Sequence, residues 1–312
     1  MTSGPKAPGI HHITAITGDG KKNIAFYTKI LGLRLVKRTV NFDDPSAHHL
    51  YFGDETGSPG TILTFFAWAG ASPGRAGNGE ATTVAFRIPE GSLDWWARRL
   101  AEKSVAATLS ARFGENLLQF RDPDGIAIEL VATALPGTAK AWTGAGIDSD
   151  HAITGFHGTT LQVAEGAATG QVLTQALGFE HQAQDGAWTR YVVAGRVPGG
   201  IVDVKSGVGG GHGRLGTGSI HHVAFRAADD ADQEGIAEAL NRMRVGTTEQ
   251  KDRTYFRSVY FREPGGVILE IATDGPGFAS DESVETLGEA LKLPPQYERL
   301  RSKIEAALPP LD

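Results

Sequence analysis

The sequence predicts an α+β protein made of four copies of one strand–helix–strand unit, closed by a helical tail. Three observations carry this. His11-His12-Ile13-Thr14 near the start returns as His221-His222-Val223-Ala224. The run Thr82-Thr83-Val84-Ala85-Phe86-Arg87 lies over His221-His222-Val223-Ala224-Phe225-Arg226, and Asp122-Pro123-Asp124-Gly125 lies over Glu263-Pro264-Gly265-Gly266. Between the strand-like runs stand apolar residues at helical spacing, with glycine near the helix ends. Internal repetition of this kind, with a period of about 50 to 60 residues, decides the fold before any single element does.

The first unit opens at His12, turns helical over Asn23–Leu31, stops at Gly32 and continues through strands to Thr61-Ile62-Leu63-Thr64-Phe65-Phe66. The second opens at Thr82, places Leu93, Trp96 and Leu100 on one helical face, and closes on Ile126-Ala127-Ile128-Glu129-Leu130. The third opens at Gly155-Phe156-His157, has its helix from Gly170 to Leu177 with Gly178 just beyond, and closes near Gly200–Val204. The fourth opens at His221, turns helical around Ile236, Leu240 and Met243, and closes at Glu270. The expected division is an N-terminal domain over 8–135, a Gly-, Ala- and Thr-rich linker over 136–154, a C-terminal domain over 155–275 and a tail over 276–312. In the tail, Tyr297, Leu300 and Ile304 share a helical face expected to pack outside the sheets. Gly207–Ser219 is a flexible stretch without the Gly-Lys-Ser/Thr ending of a phosphate loop.

Composition narrows the classes of function. A chain of 312 residues buries a large core and divides into about two domains. With no cysteine, disulfides, thiolate metal sites and thiol nucleophiles are excluded, so any metal is held by nitrogen and oxygen. A net charge of −6 argues against nucleic acid and anionic lipid. No apolar run approaches the roughly 20 residues of a membrane span, and Met1–Lys6 lacks a signal-peptide core. A cytoplasmic location is expected.

The strand period of two assigns faces. Val223 and Phe225, Ile13 and Ala15, and Leu269 and Ile271 belong under helices; His222, His12 and Glu270 then point the other way, into a concave side. A carboxylate on a central strand needs a cation or an ion pair, and two histidines with one carboxylate form a facial metal triad. His11 and His221, at strand edges, are placed behind the ligands or against a substrate. Superposing the repeats aligns Thr64, Glu129, Asp203 and Glu270, and aligns His12, Thr83, His157 and His222. On residues alone two centres stand open: His12, His222 and Glu270 with Thr64 leaving the fourth place free, or His157, His222 and Glu270 with Asp203 as a fourth ligand. Glu129 is a relic of duplication or pairs with an arginine. The bland alternatives are a surface turn for Arg253, core aromatics for Tyr260 and Trp95-Trp96, and a strand facing solvent and core in turn for His48-His49.

These residues resemble the vicinal oxygen chelate superfamily, and within it the hydroquinone-cleaving branch of the ring-cleaving dioxygenases. The likeness runs through Val36-Lys37-Arg38-Thr39, His49-Leu50-Tyr51-Phe52, Gly91-Ser92-Leu93-Asp94-Trp95-Trp96, Gly155-Phe156-His157, Arg253 with Tyr255-Phe256, and Pro264-Gly265-Gly266-Val267. It implies that the modules pair into two half-barrel domains. It also implies metal ligands His12, His222 and Glu270, with His11, Thr14, His221, Arg253 and Tyr260 as the other groups of the site. The implied cofactor is non-haem Fe(II), with Mn(II) suited to the same ligands. The implied partners are dioxygen and a small aromatic diol, with further copies of the chain as candidates and neither nucleic acid nor membrane. His221 or His11 is expected to accept a phenolic proton, and Arg253 and Tyr260 to orient a ring oxygen. Loops Gly70–Gly79 and Gly207–Ser219 are expected to shape the cavity. Two other classes remain in view. One is a glyoxalase-like isomerase or lyase using Zn or Ni, which typically adds a Glu or Gln ligand at the place Thr64 holds; the other is a metal-free binding protein of the drug-resistance type.

Overall fold

A computed structural model describes residues 7–135, 141–195 and 197–311. The first module comprises β1 (Ile10–Thr17), α1 (Gly20–Ala25), β2 (Arg34–Val40), β3 (His48–Gly53) and β4 (Ile62–Ala67). The second holds β5 (Glu80–Pro89), α2 (Leu93–Glu102), β6 (Thr108–Arg112), β7 (Glu115–Arg121) and β8 (Ala127–Thr133). The third holds β9 (Phe156–Gln162), α3 (Ala167–Gln171), β10 (Glu180–Asp185), β11 (Trp188–Val192) and β12 (Ile201–Lys205). The fourth holds β13 (Ile220–Ala227), α4 (Asp230–Arg242), β14 (Lys251–Asp252), β15 (Arg257–Arg262) and β16 (Ile268–Thr273), and α5 (Arg301–Ala307) lies in the tail.

Local chemistry accounts for the helix ends. Asp19 and Asp229 cap α1 and α4, their carboxylates accepting from the Lys22 and Asp232 amides at 3.0 Å. The helices α1 and α3 run on through single π turns, Phe26–Ile30 and Val172–Ala176, before stopping near Gly32 and Gly178. Both glycines are left-handed, with φ of 71° and 73°. A Cβ at Gly32 would also meet Ile147 Cδ1 at 2.5 Å, which that side-chain end would have to yield, so the left-handed backbone is what calls for glycine. Trp96 of α2 is fully buried and donates its indole N–H to the His151 carbonyl at 2.9 Å, which fixes the helix on its sheet.

The sixteen strands of the described residues form two curled eight-stranded sheets, ordered β14-β15-β16-β13-β1-β4-β3-β2 and β10-β11-β12-β9-β5-β8-β7-β6. Each sheet therefore takes one module from either side of the expected 136–154 division: module one joins module four, and module two joins module three. In every module the first strand is paired in parallel with the last, which leaves its other edge open. That edge is covered by the first strand of another module, β1 against β13 and β5 against β9, both antiparallel. Modules two and four, the most alike in sequence, occupy matching seats in different sheets. Of the expected linker, residues 136–140 lie outside the described residues.

At both central seams the ladder carries β-bulges, and the sequence shows why. Ile10 and Ile13, Ala81 and Val84, Phe156 and Thr159, and Ile220 and Val223 are buried pairs three residues apart, where strict alternation would space them by two. The register shifts fall between these pairs. Each bulge turns two successive residues to the concave side: His11-His12, Thr82-Thr83, His157-Gly158 and His221-His222. This corrects the alignment of the third repeat. His157 matches His11 and His221, while Gly158 holds the place of His12 and His222.

The tail packs on module one. Ile304 and Leu293 bury against Val40, and Tyr297 donates its hydroxyl to the Phe42 carbonyl at 2.9 Å. Leu300, expected on the same buried face, is 38% exposed because residues 295–300 form a tighter 3-10 turn that shifts it off the stripe. Among the described residues no helix is long and apolar enough to cross a membrane.

Candidate metal centre

On β1 and β13 the core takes Ile13, Ala15, Val223 and Phe225, and on β16 it takes Leu269 and Ile271. His12, His222 and Glu270 are left facing one another inside the half-barrel of modules one and four. Glu270 Oε2 lies 3.3 Å from His12 Nε2 and 3.0 Å from His222 Nε2, and the two nitrogens are 3.4 Å apart. Metal–ligand bonds of about 2.1 Å put adjacent ligands about 3 Å apart, so this triangle has the size of one face of a small divalent ion's shell. The carboxylate is prepared for it. Ser258 donates to Oε1 at 2.5 Å, while Oε2 is buried against the two imidazole Nε2 atoms. Burial works against ionisation of Glu270, yet the two imidazoles hold its carboxyl well below the ordinary range. Burial, with the His12 imidazole, also lowers His222 in spite of Glu270, leaving the neutral ring a metal requires. The donor set fits a divalent ion, and His12, His222 and Glu270 are the residues that would hold it.

The flanking histidines act from behind. His11 Nδ1 sits 3.0 Å from His12 Nδ1, and His221 Nδ1 sits 2.8 Å from His222 Nδ1. The Nε2 atoms of His12 and His222 are the nitrogens aimed at the centre, and a proton carried by each ligand's Nδ1 and accepted by its neighbour leaves that Nε2 free to bind a metal. Burial depresses His11 strongly and brings His221 down to about 3, so both rings stay neutral.

In front of His12 and His222 lies a small cavity that Thr14, Arg253 and Tyr260 also line, whereas His11 and His221 do not. Its walls include Phe42, Tyr51, Phe66 and Phe256, with Asn41, Asp43 and His49 at the polar side. Arg253 Nε donates to Tyr260 Oη at 3.3 Å and its Nη2 to Asp43 at 2.9 Å. Burial raises Tyr260 above its usual value, with Glu270 adding to it, so the phenol keeps its proton. Loops Gly70–Gly79 and Gly207–Ser219 do not reach this cavity. They bridge to each other, Pro73 with Thr217, Arg75 with Arg214 and Asn78 with His212. Sequence reasoning missed His49, Tyr51, Ser258 and Phe256 as site residues. For three of them the signal was present: Leu50 and Phe52, like Val259 and Phe261, take the apolar face, which turns His49, Tyr51 and Ser258 inward.

The matching place in the other sheet is filled by charge. Glu129 receives a bidentate Arg112 at 2.9 and 2.5 Å and Gln119 at 2.9 Å. Asp203 receives Arg112 Nε at 2.8 Å and Arg190 at 2.7 and 2.9 Å. Glu115 accepts from Arg190 and, at 3.0 Å, from His157 Nε2. The alternative centre with His157 and Asp203 is therefore not assembled, since both lie in the sheet opposite His222 and Glu270.

Burial alone would raise the Glu115 carboxyl, but the His157 and Arg190 contacts outweigh it and bring it down to about 2. Its folded value lies below its unfolded one, so the stabilisation is complete above about pH 4.5 and is lost as pH falls toward 2. Glu115→Gln is expected to cost about 2 kcal/mol at neutral pH. It should also flatten acid unfolding between about pH 4.5 and 2 in urea titrations; an unchanged acid limb would remove the role given to this carboxylate.

A curled sheet of paired βαβββ modules around two histidines and a glutamate defines a class of metal-binding half-barrels, and the sequence comparisons place the chain within it. Residues 9–130 match the Glyoxalase/Bleomycin resistance protein/Dioxygenase superfamily, to which the chain belongs. Among its relatives is a protein provisionally named ring-cleaving dioxygenase MhqO, from Bacillus subtilis (strain 168), 45% identical over 98% of this chain and 97% of its own. Another is the chlorohydroquinone/hydroquinone 1,2-dioxygenase of Sphingobium indicum, 33% identical over 96% of this chain and 95% of its own. A crystal structure provisionally described as a dioxygenase from Bacillus subtilis superposes with a TM-score of 0.95 at 45% identity, covering 98% of both chains. Glyoxalase I from Zea mays, at 16% identity and a TM-score of 0.63 over 85% of this chain and 92% of its own, shares the fold.

Proposed function

We propose that this protein is a non-haem Fe(II)-dependent dioxygenase that cleaves a hydroquinone-type or related dihydroxylated aromatic ring, Mn(II) being suited to the same ligands. One observation carries the reading. His12 and His222, which form a metal-sized triangle with the buried Glu270, line a cavity walled by aromatic rings and furnished with Thr14, Arg253 and Tyr260. When bound, the metal supplies open coordination positions and a redox couple for the ring and dioxygen. The protein supplies the rest. Phe42, Phe256 and Tyr51 exclude water and hold the ring by its faces. Arg253 and Tyr260 donate to a ring oxygen and stabilise negative charge that develops on it. His11 and His221 are assigned to orienting the ligand imidazoles, because neither lines the cavity from which a phenolic proton would come. At the position where a fourth carboxylate ligand would serve an isomerase, Thr64 is engaged with Thr14 and His49.

The test is dioxygen uptake by protein reconstituted anaerobically with Fe(II), on adding hydroquinone, with catechol in parallel and metal-free protein as control. Iron-dependent uptake matched by a ring-opened acid is expected. No uptake by protein shown to retain iron would overturn the assignment.

A further inference from the structure

The cavity in front of the metal centre has no cation to spare. Among the described residues that line it, Arg253 and Asp43 are the only side chains of permanent charge, and they are paired with each other. His49 spends both ring nitrogens on Tyr51 and Thr64, and His12 and His222 belong to the metal centre.

A guanidinium offers a carboxylate two forks of parallel N–H bonds, one end-on through both Nη atoms and one side-on through Nε and an Nη. In Arg253 the end-on fork is taken. Its Nη1 donates to Asp43 Oδ1 at 3.4 Å and its Nη2 to Asp43 Oδ2 at 2.9 Å. The side-on fork is broken, because Nε donates to Tyr260 Oη at 3.3 Å. What is left is one N–H on each Nη, the two pointing apart. Either suits a single phenolic oxygen, and together they do not match the two oxygens of a carboxylate.

The turn that carries Asp43 is held in place. Asn41 Oδ1 accepts the Asp43 amide N–H at 2.9 Å, and the Phe42 carbonyl accepts the Tyr297 hydroxyl at 2.9 Å. A ring bearing a carboxylate would therefore bring a second negative charge toward Asp43 and lodge it without a fork. The Arg253 side chain is 13% exposed and that of Asp43 66%, so solvent screens part of the repulsion. The effect is accordingly about tenfold, well short of the penalty for a fully buried charge.

We infer that Asp43 is a specificity-determining residue that, by claiming the Arg253 fork, confines the substrate to dihydroxylated rings without an acidic substituent. The inference rests on the ring-cleaving reading above and deepens it. Asp43 neutralises the one cation that a ring carboxylate could use, while the single N–H bonds it leaves remain for the ring hydroxyls.

The test compares 2,5-dihydroxybenzoate with 2,5-dihydroxybenzamide, as dissociation constants measured anaerobically on the Fe(II)-loaded protein. The two are nearly the same size and both carry a carbonyl oxygen beside a hydroxyl, so charge separates them. Wild type should bind the amide at least about tenfold more tightly than the acid. Asp43→Asn keeps an acceptor for Arg253 and removes the charge, and should shrink that preference by about tenfold. Both ligands are read on the same variant, so any change common to them cancels. Asp43→Glu restores the charge and should hold the preference within about threefold of wild type. An acid bound as tightly as the amide by wild type, or the same preference in Asp43→Asn as in wild type, would overturn the inference while leaving the reaction in place. So would Asp43→Glu losing the preference as fully as Asp43→Asn, which would trace it to shape. Iron-loaded wild type that binds neither hydroquinone nor catechol would overturn the reading and the inference together.

Discussion

Glu270→Ala is expected to leave a folded protein that no longer retains a divalent metal. The carboxylate is the only anionic member of the triad, and two neutral imidazoles alone neither balance the ion's charge nor complete one face of its shell. A loss of at least about a thousandfold in affinity follows, whereas Ser258→Ala, which only frees the far oxygen, should cost about 10- to 100-fold. The alanine gives up the Ser258 hydrogen bond to Oε1, a cost of about 1 kcal/mol that a chain of this size tolerates without unfolding. Two measurements check this. Metal content after gel filtration should fall to background, and the rise in melting temperature that wild type shows on adding Fe(II) anaerobically should vanish. Stoichiometric metal in folded Glu270→Ala would eliminate the triad.

Arg112→Ala is expected to cost about 3–5 kcal/mol of stability with no effect on metal retention. Its guanidinium joins Glu129 of module two to Asp203 of module three, and both carboxylates are nearly fully buried. Removing it leaves Glu129 with Gln119 alone, deep in the second half-barrel. The penalty is the uncompensated charge rather than the worth of the pair, so Arg112→Leu combined with Glu129→Leu should recover much of the loss. Urea denaturation followed by circular dichroism measures both. A cost below about 1 kcal/mol would mean that the network is wet and screened.

The comparison of the two half-barrels explains how far a single chain could be read. Apolar spacing assigned the faces of β1, β13 and β16, because a strand lets only alternate side chains reach the core; that placed His12, His222 and Glu270 together in a cavity. The same spacing held the bulges, in the three-residue steps from Ile10 to Ile13 and from Ile220 to Val223. Strict alternation hid them, and with them the shift that puts Gly158 rather than His157 in the ligand's place. Asp122 through Glu129 and Glu263 through Glu270 look alike as strings, yet one carboxylate faces two imidazoles and the other an arginine.

By itself the sequence determined the repeat, the helix stops at Gly32 and Gly178, and the concave faces of His222 and Glu270, since each depends on residues close in the chain or on a period that local geometry imposes, while it left His12 and His157 both open as the third candidate ligand. The tertiary structure decided which modules share a sheet, and with that which walls the metal centre has. Backbone edges pair without regard to side-chain identity, so four similar modules offer several pairings that local sequence does not rank. Once β1 is set against β13, residues some 210 positions apart meet, as His12 and His222 do. His49, Tyr51 and Ser258 gather around them because the curled sheet carries their strands there, with Phe256 on the turn before β15, and charge fills the other half-barrel for the same reason.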